Sequence, residues 1–170
     1  DIDPEKVKAE FDINSRVYNA DKEHFAKPYE LIFFHVSDNH FPDVNIMCAA
    51  YFMEQLDTSV SFSNKPEDLK KLLSDICTGI SVMHKAGLLH NDIKPSNIGI
   101  KESSGTFVLF DFGISVKSSD TFYGEVSKGT AYWIAPEILK NNIYSTRSDF
   151  YALGFTLREI IKGKEYKCGV

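Results

Sequence analysis

Apolar residues recur at helical spacing in three stretches of the chain and in shorter, denser runs elsewhere. Asp3-Pro4-Glu5 supplies an N-cap, a first-turn proline and an acidic first turn, and Val7, Phe11, Asn14 and Tyr18 follow at helical spacing, so a helix is predicted to about Asn19. Residues 29–36 and 45–53 are rich in β-branched and aromatic side chains and flank Ser37-Asp38-Asn39, which predicts two strands joined by a turn in a small sheet. Pro66-Glu67-Asp68 opens the strongest helical pattern, with Leu69, Leu72, Leu73, Ile76, Ile80 and Met83 on one face and Gly87 as the stop.

Short apolar pieces at 88–90, 98–100 and 107–110, broken by Gly and Ser, then read as short strands around a loop. Residues 113–130 form a long polar segment, which in a compact domain is usually functional or disordered. A last helix is expected from Thr146 or Ser148, with Phe150, Leu153, Leu157, Ile160 and Ile161 on its apolar face and Gly163 as its end; nothing after residue 164 reads as an element.

With 170 residues, 43% of them hydrophobic and 25% charged, the chain suits one folded domain and neither a disordered nor a repetitive architecture. The 19 basic and 24 acidic residues give a net charge of −5 without a Lys/Arg block, which argues against a nucleic-acid or anionic-membrane partner. The longest apolar run, 46–53, falls far short of the roughly 20 residues of a spanning helix, and residues 1–20 carry no signal pattern; the cytosol is the expected compartment, with the nucleus as the alternative. Cys48, Cys77 and Cys168 form no CxxC pair, so inert thiols are expected rather than a disulfide framework or a zinc site.

The chemistry concentrates in His90-Asn91-Asp92-Ile93-Lys94-Pro95-Ser96-Asn97 and in Asp111-Phe112-Gly113. Phosphoryl transfer asks a protein for a carboxylate to orient the attacking hydroxyl, for cations or metal ligands around the phosphates, and for positioning. Asp92 can be that carboxylate and Lys94 can neutralise charge on the moving group, while Asn97 and Asp111 offer hard oxygen ligands for Mg²⁺. Taken singly, each residue has an ordinary alternative: an Asp-Phe-Gly as a turn, an Asp-Ile-Lys-Pro as a helix end.

In order, and with Gly129-Thr130, Ala135-Pro136-Glu137, Asp149 and Gly154 downstream, these pieces match the signature set of protein kinases. The chain resembles a eukaryotic-type protein kinase over essentially its whole length. Lys94 after Asp92, and Thr130 before Ala-Pro-Glu, are similar to the serine/threonine class. Met53-Glu54-Gln55-Leu56-Asp57-Thr58-Ser59, Lys94-Pro95-Ser96-Asn97, Asp111-Phe112-Gly113-Ile114-Ser115 and Pro28-Tyr29 resemble MAP kinase kinases. Tyr132-Trp133-Ile134-Ala135-Pro136-Glu137 is more similar to related upstream kinases, and Thr130 stands where MAP kinase kinases usually carry Cys.

The resemblance implies an α+β, two-lobe kinase fold: residues 1–53 as the remainder of the small lobe with its regulatory helix, 54–57 as the hinge, and 58–170 as the first part of the helical large lobe. It implies transfer of the ATP γ-phosphate, with Mg²⁺, to Ser or Thr of a protein substrate, another kinase among the candidates, with Tyr as an additional acceptor left open. Asp92, Lys94 and Thr130 would be catalytic. Glu10 would pair with the ATP-orienting lysine, Met53 would stand at the back of the adenine pocket, and the backbone from Glu54 to Leu56 would bind adenine. Asn97 and Asp111 would hold Mg²⁺, while His90 and Phe112 would stack behind the site. The alternative reading is a kinase-derived binding module; a small-molecule phosphotransferase is disfavoured by Lys94 and Ala135-Pro136-Glu137. The oligomeric state is left open.

Departures from the pattern shape further expectations. A glycine-rich loop and a lysine strand are expected ahead of the Glu10 helix, and further helices, one with an arginine for Glu137, after Val170; the chain is therefore expected to be a segment of a longer kinase and nearly inactive alone. Gly99 falls where kinases place a leucine-like side chain under adenine, predicting a thinner pocket floor. Asn91 replaces the arginine that grips a loop phosphate. Laid on the MAP kinase kinase loop, Thr121 and Glu125 fall on its two phosphorylation positions, which predicts activity without loop phosphorylation.

Overall fold

In the computed structural model the described residues are 3–37, 45–58, 62, 65–118, 130 and 132–162. Helix α1 (Pro4–Ala20) begins where the sequence predicts, with the Asp3 carboxylate accepting from the Glu5 amide at 3.1 Å. It ends at Asp21, whose carboxylate accepts from the amides of Glu23 and His24 and closes a turn that starts the connection to β1.

Strands β1 (Pro28–Ser37) and β2 (Asn45–Met53) pair antiparallel from Pro28↔Met53 to Ser37↔Asn45. Ser37 continues the strand instead of opening the turn; Asp38 and Asn39 lie outside the described residues. Tyr51 faces α1, packing edge-on against Phe11 at 5.4 Å and accepting a hydrogen bond from the buried Asn14 amide.

After the two-residue strand β3 (Leu56–Asp57), helix α2 (Pro66–Lys85) carries its apolar face inward as its spacing dictates: Leu72, Ile76, Ile80 and Met83 are buried. Leu73 is the exception and remains at the surface. Gly87, at φ +70°, takes the left-handed turn that separates α2 from β4 (Leu88–Leu89). Strands β5 (Ile98–Lys101) and β6 (Phe107–Leu109) form a hairpin in register Ile98↔Leu109, and β3 adds to its outer edge, Leu56 opposite Lys101. The long polar segment is not wholly irregular, since β7 (Val116–Lys117) pairs with β4.

Helix α3 (Pro136–Asn141) grows out of the Ala-Pro-Glu motif, with proline in its first turn. Helix α4 (Thr146–Ile161) starts on a capping box between Ser145 and Ser148. Its buried face differs from the expected one. Leu153 and Ile160 are inside with Ala152, Thr156 and Glu159, whereas Phe150 and Ile161 stay exposed. Small and polar positions carry this face because it binds a loop as well as a core, and apolar spacing alone does not register them.

Two clusters result. One joins α2, Ile93, Ile98, Leu109 and α4; the other joins Val17 and Phe25 to Met83, Leu88 and Phe112. The segments 90–97 and 110–113 lie between them, which fixes their backbones on both sides. Among the described residues no helix is long and apolar enough to cross a membrane.

Candidate active site

The loop from His90 to Asn97 leaves β4 and returns through a single 3₁₀ turn, Pro95–Asn97. Its entry is held by Asp149 of α4, whose carboxylate accepts from the His90 amide at 3.0 Å, the Asn91 amide at 2.9 Å and the His84 ring at 2.8 Å. The carboxylate is buried, and these three donors satisfy it. Asn91 sits at φ +68°, a conformation that asparagine tolerates better than most residues, and it swings the chain toward Asp92. The exit is held by Thr156, which donates to the Ile93 carbonyl at 3.1 Å and accepts from the Trp133 indole at 3.0 Å.

Asp92 is nearly buried and its carboxylate is saturated with donors. Lys94 Nζ and Asn97 Nδ2 donate to Oδ2 at 2.7 and 2.9 Å, and the Thr130 hydroxyl donates to Oδ1 at 2.7 Å. Lys94 Nζ also reaches Thr130 Oγ1 at 2.8 Å, closing a triangle of Asp92, Lys94 and Thr130. Burial alone would raise the Asp92 pKa, but the bonds from Lys94 and Thr130, the Lys94 charge and the Asn97 amide outweigh it and hold the carboxyl below its usual range. Asp92 is thus an ionised acceptor at neutral pH.

Asn97 and Asp111 come together through the β5–β6 hairpin. Ile98 faces Leu109, and one step further out the Phe110 amide donates to the Asn97 carbonyl at 3.1 Å, so Asp111 follows at the same open end. Asp111 is exposed, at φ +66°, with its own carboxylate accepting from the Gly113 amide at 3.3 Å. The Asn97 nitrogen is spent on Asp92, at the main-chain O and at Oδ2, which leaves its oxygen as the atom for a cation.

Glu10 reaches the same end from α1. A Cβ built on Gly113 would lie 3.3 Å from Asp111 Oδ1 and 3.4 Å from Glu10 Oε2, so that both carboxylates border one glycine. Burial raises the Glu10 pKa and the Asp111 charge adds to this, against a hydrogen bond from the Phe112 backbone. Among the described residues neither carboxylate has a Lys or Arg partner. This is a concentrated negative site of hard oxygens, and it fits a hard divalent cation and a basic group supplied with it.

Phe112 turns inward, 5.4 Å from the His90 ring and 6.3 Å from Phe25. His90 is fully buried and burial holds its pKa below the usual value despite the nearby carboxylates of Asp149, Asp92 and Asp111. Its Nδ1 accepts from the Asp92 amide at 3.3 Å, so it packs and orients as a neutral ring. Two further histidines have partners that their sequence context does not signal, His84 with Asp149 and His24 with Asp21.

On the other side of the hairpin, Met53 ends β2, Glu54 follows it, and Leu56 begins β3 against β5. Gly99 is buried with its α-carbon against Leu56; an added Cβ would lie 3.0 Å from Leu56 Cβ and 3.1 Å from Cδ1. The Leu56 side chain thus fills the space that Gly99 was expected to leave open. Burial pushes the Cys77 thiol up. Thr121, Glu125, Gly129 and Cys168 lie outside the described residues.

Comparison with known proteins agrees with this arrangement. Residues 33–169 match the model of the protein kinase domain. The chain is 33% identical over 97 residues to the serine/threonine-protein kinase shk2 of Schizosaccharomyces pombe, a match covering 56% of this chain and 16% of that protein. It is 38% identical over 92 residues to the MAP kinase kinase skh1/pek1 of the same yeast, covering 54% of this chain and 25% of that protein. Among solved structures, the kinase PK-1 of Cydia pomonella granulovirus superposes with a TM-score of 0.68 at 21% identity, covering 92% of this chain and 57% of that one.

The chain belongs to the protein kinase domain family, and its fold is a protein-kinase fold. Its relatives include serine/threonine kinases and MAP kinase kinases, and it spans only a minor part of the length of the curated relatives it matches.

Proposed function

We propose that this chain is the catalytic-loop portion of a protein serine/threonine kinase that transfers the γ-phosphate of Mg-ATP to a hydroxyl of a protein substrate, another kinase being a candidate substrate. The observation that carries this reading is the triangle of Asp92, Lys94 and Thr130, with Asn97 and Asp111 at the adjoining open end of the hairpin. Residues 1–53 then belong to the small lobe, 54–57 to the hinge and 58–170 to the large lobe, in a protein of the cytosol or nucleus.

Asp92 accepts a hydrogen bond from the substrate hydroxyl and orients its oxygen toward phosphorus. Lys94, already charged and fixed on Asp92, stabilises the negative charge that builds on the transferring group. Thr130 keeps both in place and, exchanging Asp92 for substrate, selects a Ser or Thr hydroxyl; Tyr as a further acceptor remains part of the test. Asn97 and Asp111 would hold Mg²⁺, which on binding neutralises phosphate charge, and Glu10 would hold the basic group that accompanies the phosphates. Met53 and the Glu54–Leu56 backbone would enclose adenine over Gly99 and Leu56. The side chain of Asn91 donates to the Ile114 carbonyl at 3.3 Å instead of offering a cation to the loop, which supports activity without loop phosphorylation.

The test is phosphate transfer by the full-length protein from labelled Mg-ATP to arrayed peptides. Labelling of Ser/Thr peptides that stops on chelation of Mg²⁺ is expected. Nucleotide or peptide binding without transfer would instead support the alternative, a kinase-derived binding module.

A further inference from the structure

Lys101 is the one lysine that is buried among the described residues. It ends β5, opposite Leu56 of β3, and its ammonium has three donors to place. Two of them meet acceptors, the Lys22 carbonyl at 2.8 Å and the Phe25 carbonyl at 3.2 Å, and the charge pairs with Glu54 Oε2 at 3.3 Å. The first two belong to the connection between α1 and β1. The third belongs to the segment between β2 and β3.

Those two segments carry no regular ladder of their own, yet they are joined on both sides of this ion pair. The Glu54 amide donates to the Lys27 carbonyl at 2.8 Å, and the Lys27 amide returns a bond to Glu54 Oε2 at 3.0 Å. Behind Lys101, its amide bonds the Thr106 carbonyl, and the buried Thr106 hydroxyl bonds Glu23 of the same connection. A single buried ammonium therefore ties the end of α1, the β5–β6 hairpin and residue 54 together. A buried charge held by two hydrogen bonds and an ion pair fixes relative positions sharply, because any shift that breaks one of these contacts leaves the charge less compensated and away from solvent.

We infer that Lys101 is a positioning residue for nucleotide: through Glu54 it sets the backbone of residues 54–56 at the adenine side of the site and couples that backbone to the end of α1. The inference rests on the nucleotide-binding reading of the hinge given above. A lysine that served only to hold the fold would weaken every ligand alike on removal. One that sets the hinge would weaken ligands carrying adenine and spare those carrying only phosphates.

The experiment is calorimetric titration of the full-length protein and its Lys101→Met variant with Mg-ATP, adenosine and Mg-tripolyphosphate. About a tenfold loss of affinity is expected for Mg-ATP and adenosine, with Mg-tripolyphosphate unchanged within about twofold. Glu54→Gln, which keeps the backbone groups and an acceptor oxygen but removes the charge, serves where Lys101→Met fails to fold, with the same pattern at about threefold. Hydrogen exchange gives an independent readout: adenosine should slow exchange of the amides of residues 21–27 in the wild type and not in either variant. Equal losses for all three ligands, or undiminished adenosine affinity in both variants, would overturn the inference and leave the kinase reading standing. A wild-type protein that binds Mg-tripolyphosphate but not adenosine would overturn the hinge assignment together with the inference.

Discussion

The Thr130 hydroxyl donates to Asp92 Oδ1 at 2.7 Å across 38 residues of sequence, and Lys94 bonds both members of the pair. Thr130→Val keeps the shape and deletes the donor. Hydrogen bonds to charged groups contribute about 1.5–3 kcal/mol, so transfer should slow on the order of tenfold to a hundredfold. Thr130→Ser should retain most of the rate. A valine variant with unchanged turnover would remove Thr130 from the site.

The depressed Asp92 pKa has a direction in pH. A carboxylate whose folded pKa lies below its unfolded value contributes stability that is fully present above that unfolded value, about 3.9, and is lost as pH falls through the folded pKa. Lys94→Met removes the cation and should move acid unfolding, followed by circular dichroism, to higher pH. An unshifted midpoint would mean that Lys94 does not stabilise the charged form.

Glu10 has the opposite sign. Its folded pKa is raised, first by burial and then by Asp111, so its contribution to stability is greatest below the unfolded value, about 4.3, and is lost as pH rises through the folded pKa. In the 170-residue chain, where the described residues offer Glu10 no Lys or Arg partner, Glu10→Gln should therefore raise the thermal midpoint at pH 7 and make little difference at pH 4. A lower midpoint at pH 7 would show that Glu10 has a cationic partner.

Much of the fold was legible because its signals are local. The Pro66-Glu67-Asp68 start, the apolar spacing from 69 to 83 and the Gly87 stop together define α2 without reference to the rest of the chain. β7 and β3 are two-residue strands whose existence depends on distant partners, Leu88–Leu89 and Ile100–Lys101, and no window of sequence holds both halves. The inward face of α4 misled for a related reason: Asp149 and Thr156 are buried because they bind backbone at 90–93, not because they are apolar. In the candidate site, Asp92, Lys94 and Asn97 share one short motif and Asp111 follows in Asp-Phe-Gly, so their chemistry could be read from residue types, whereas Thr130 entered only through the kinase resemblance. Lys101 gave no signal, since a lysine at the end of a strand ordinarily reaches solvent and its acceptors lie 76 and 79 residues away in sequence.

The joint between Thr156, Trp133 and Ile93 makes the position of the 90–97 loop depend on α4. Thr156→Val is expected to lower stability by about 1–3 kcal/mol, because the Ile93 carbonyl loses a buried donor. Thermal unfolding should show this as a midpoint lower by at least about 2 °C, and an unchanged midpoint would assign the loop's position to other contacts.

The role of Asp92 is tested most directly by comparing Asp92→Asn with the wild type in the full-length protein, measuring phosphate transfer from Mg-ATP to a Ser/Thr peptide alongside Mg-ATP affinity. Loss of transfer by about a hundredfold or more, with nucleotide affinity held within about threefold, is expected if this carboxylate orients the attacking hydroxyl. Transfer by Asp92→Asn at the wild-type rate would contradict it.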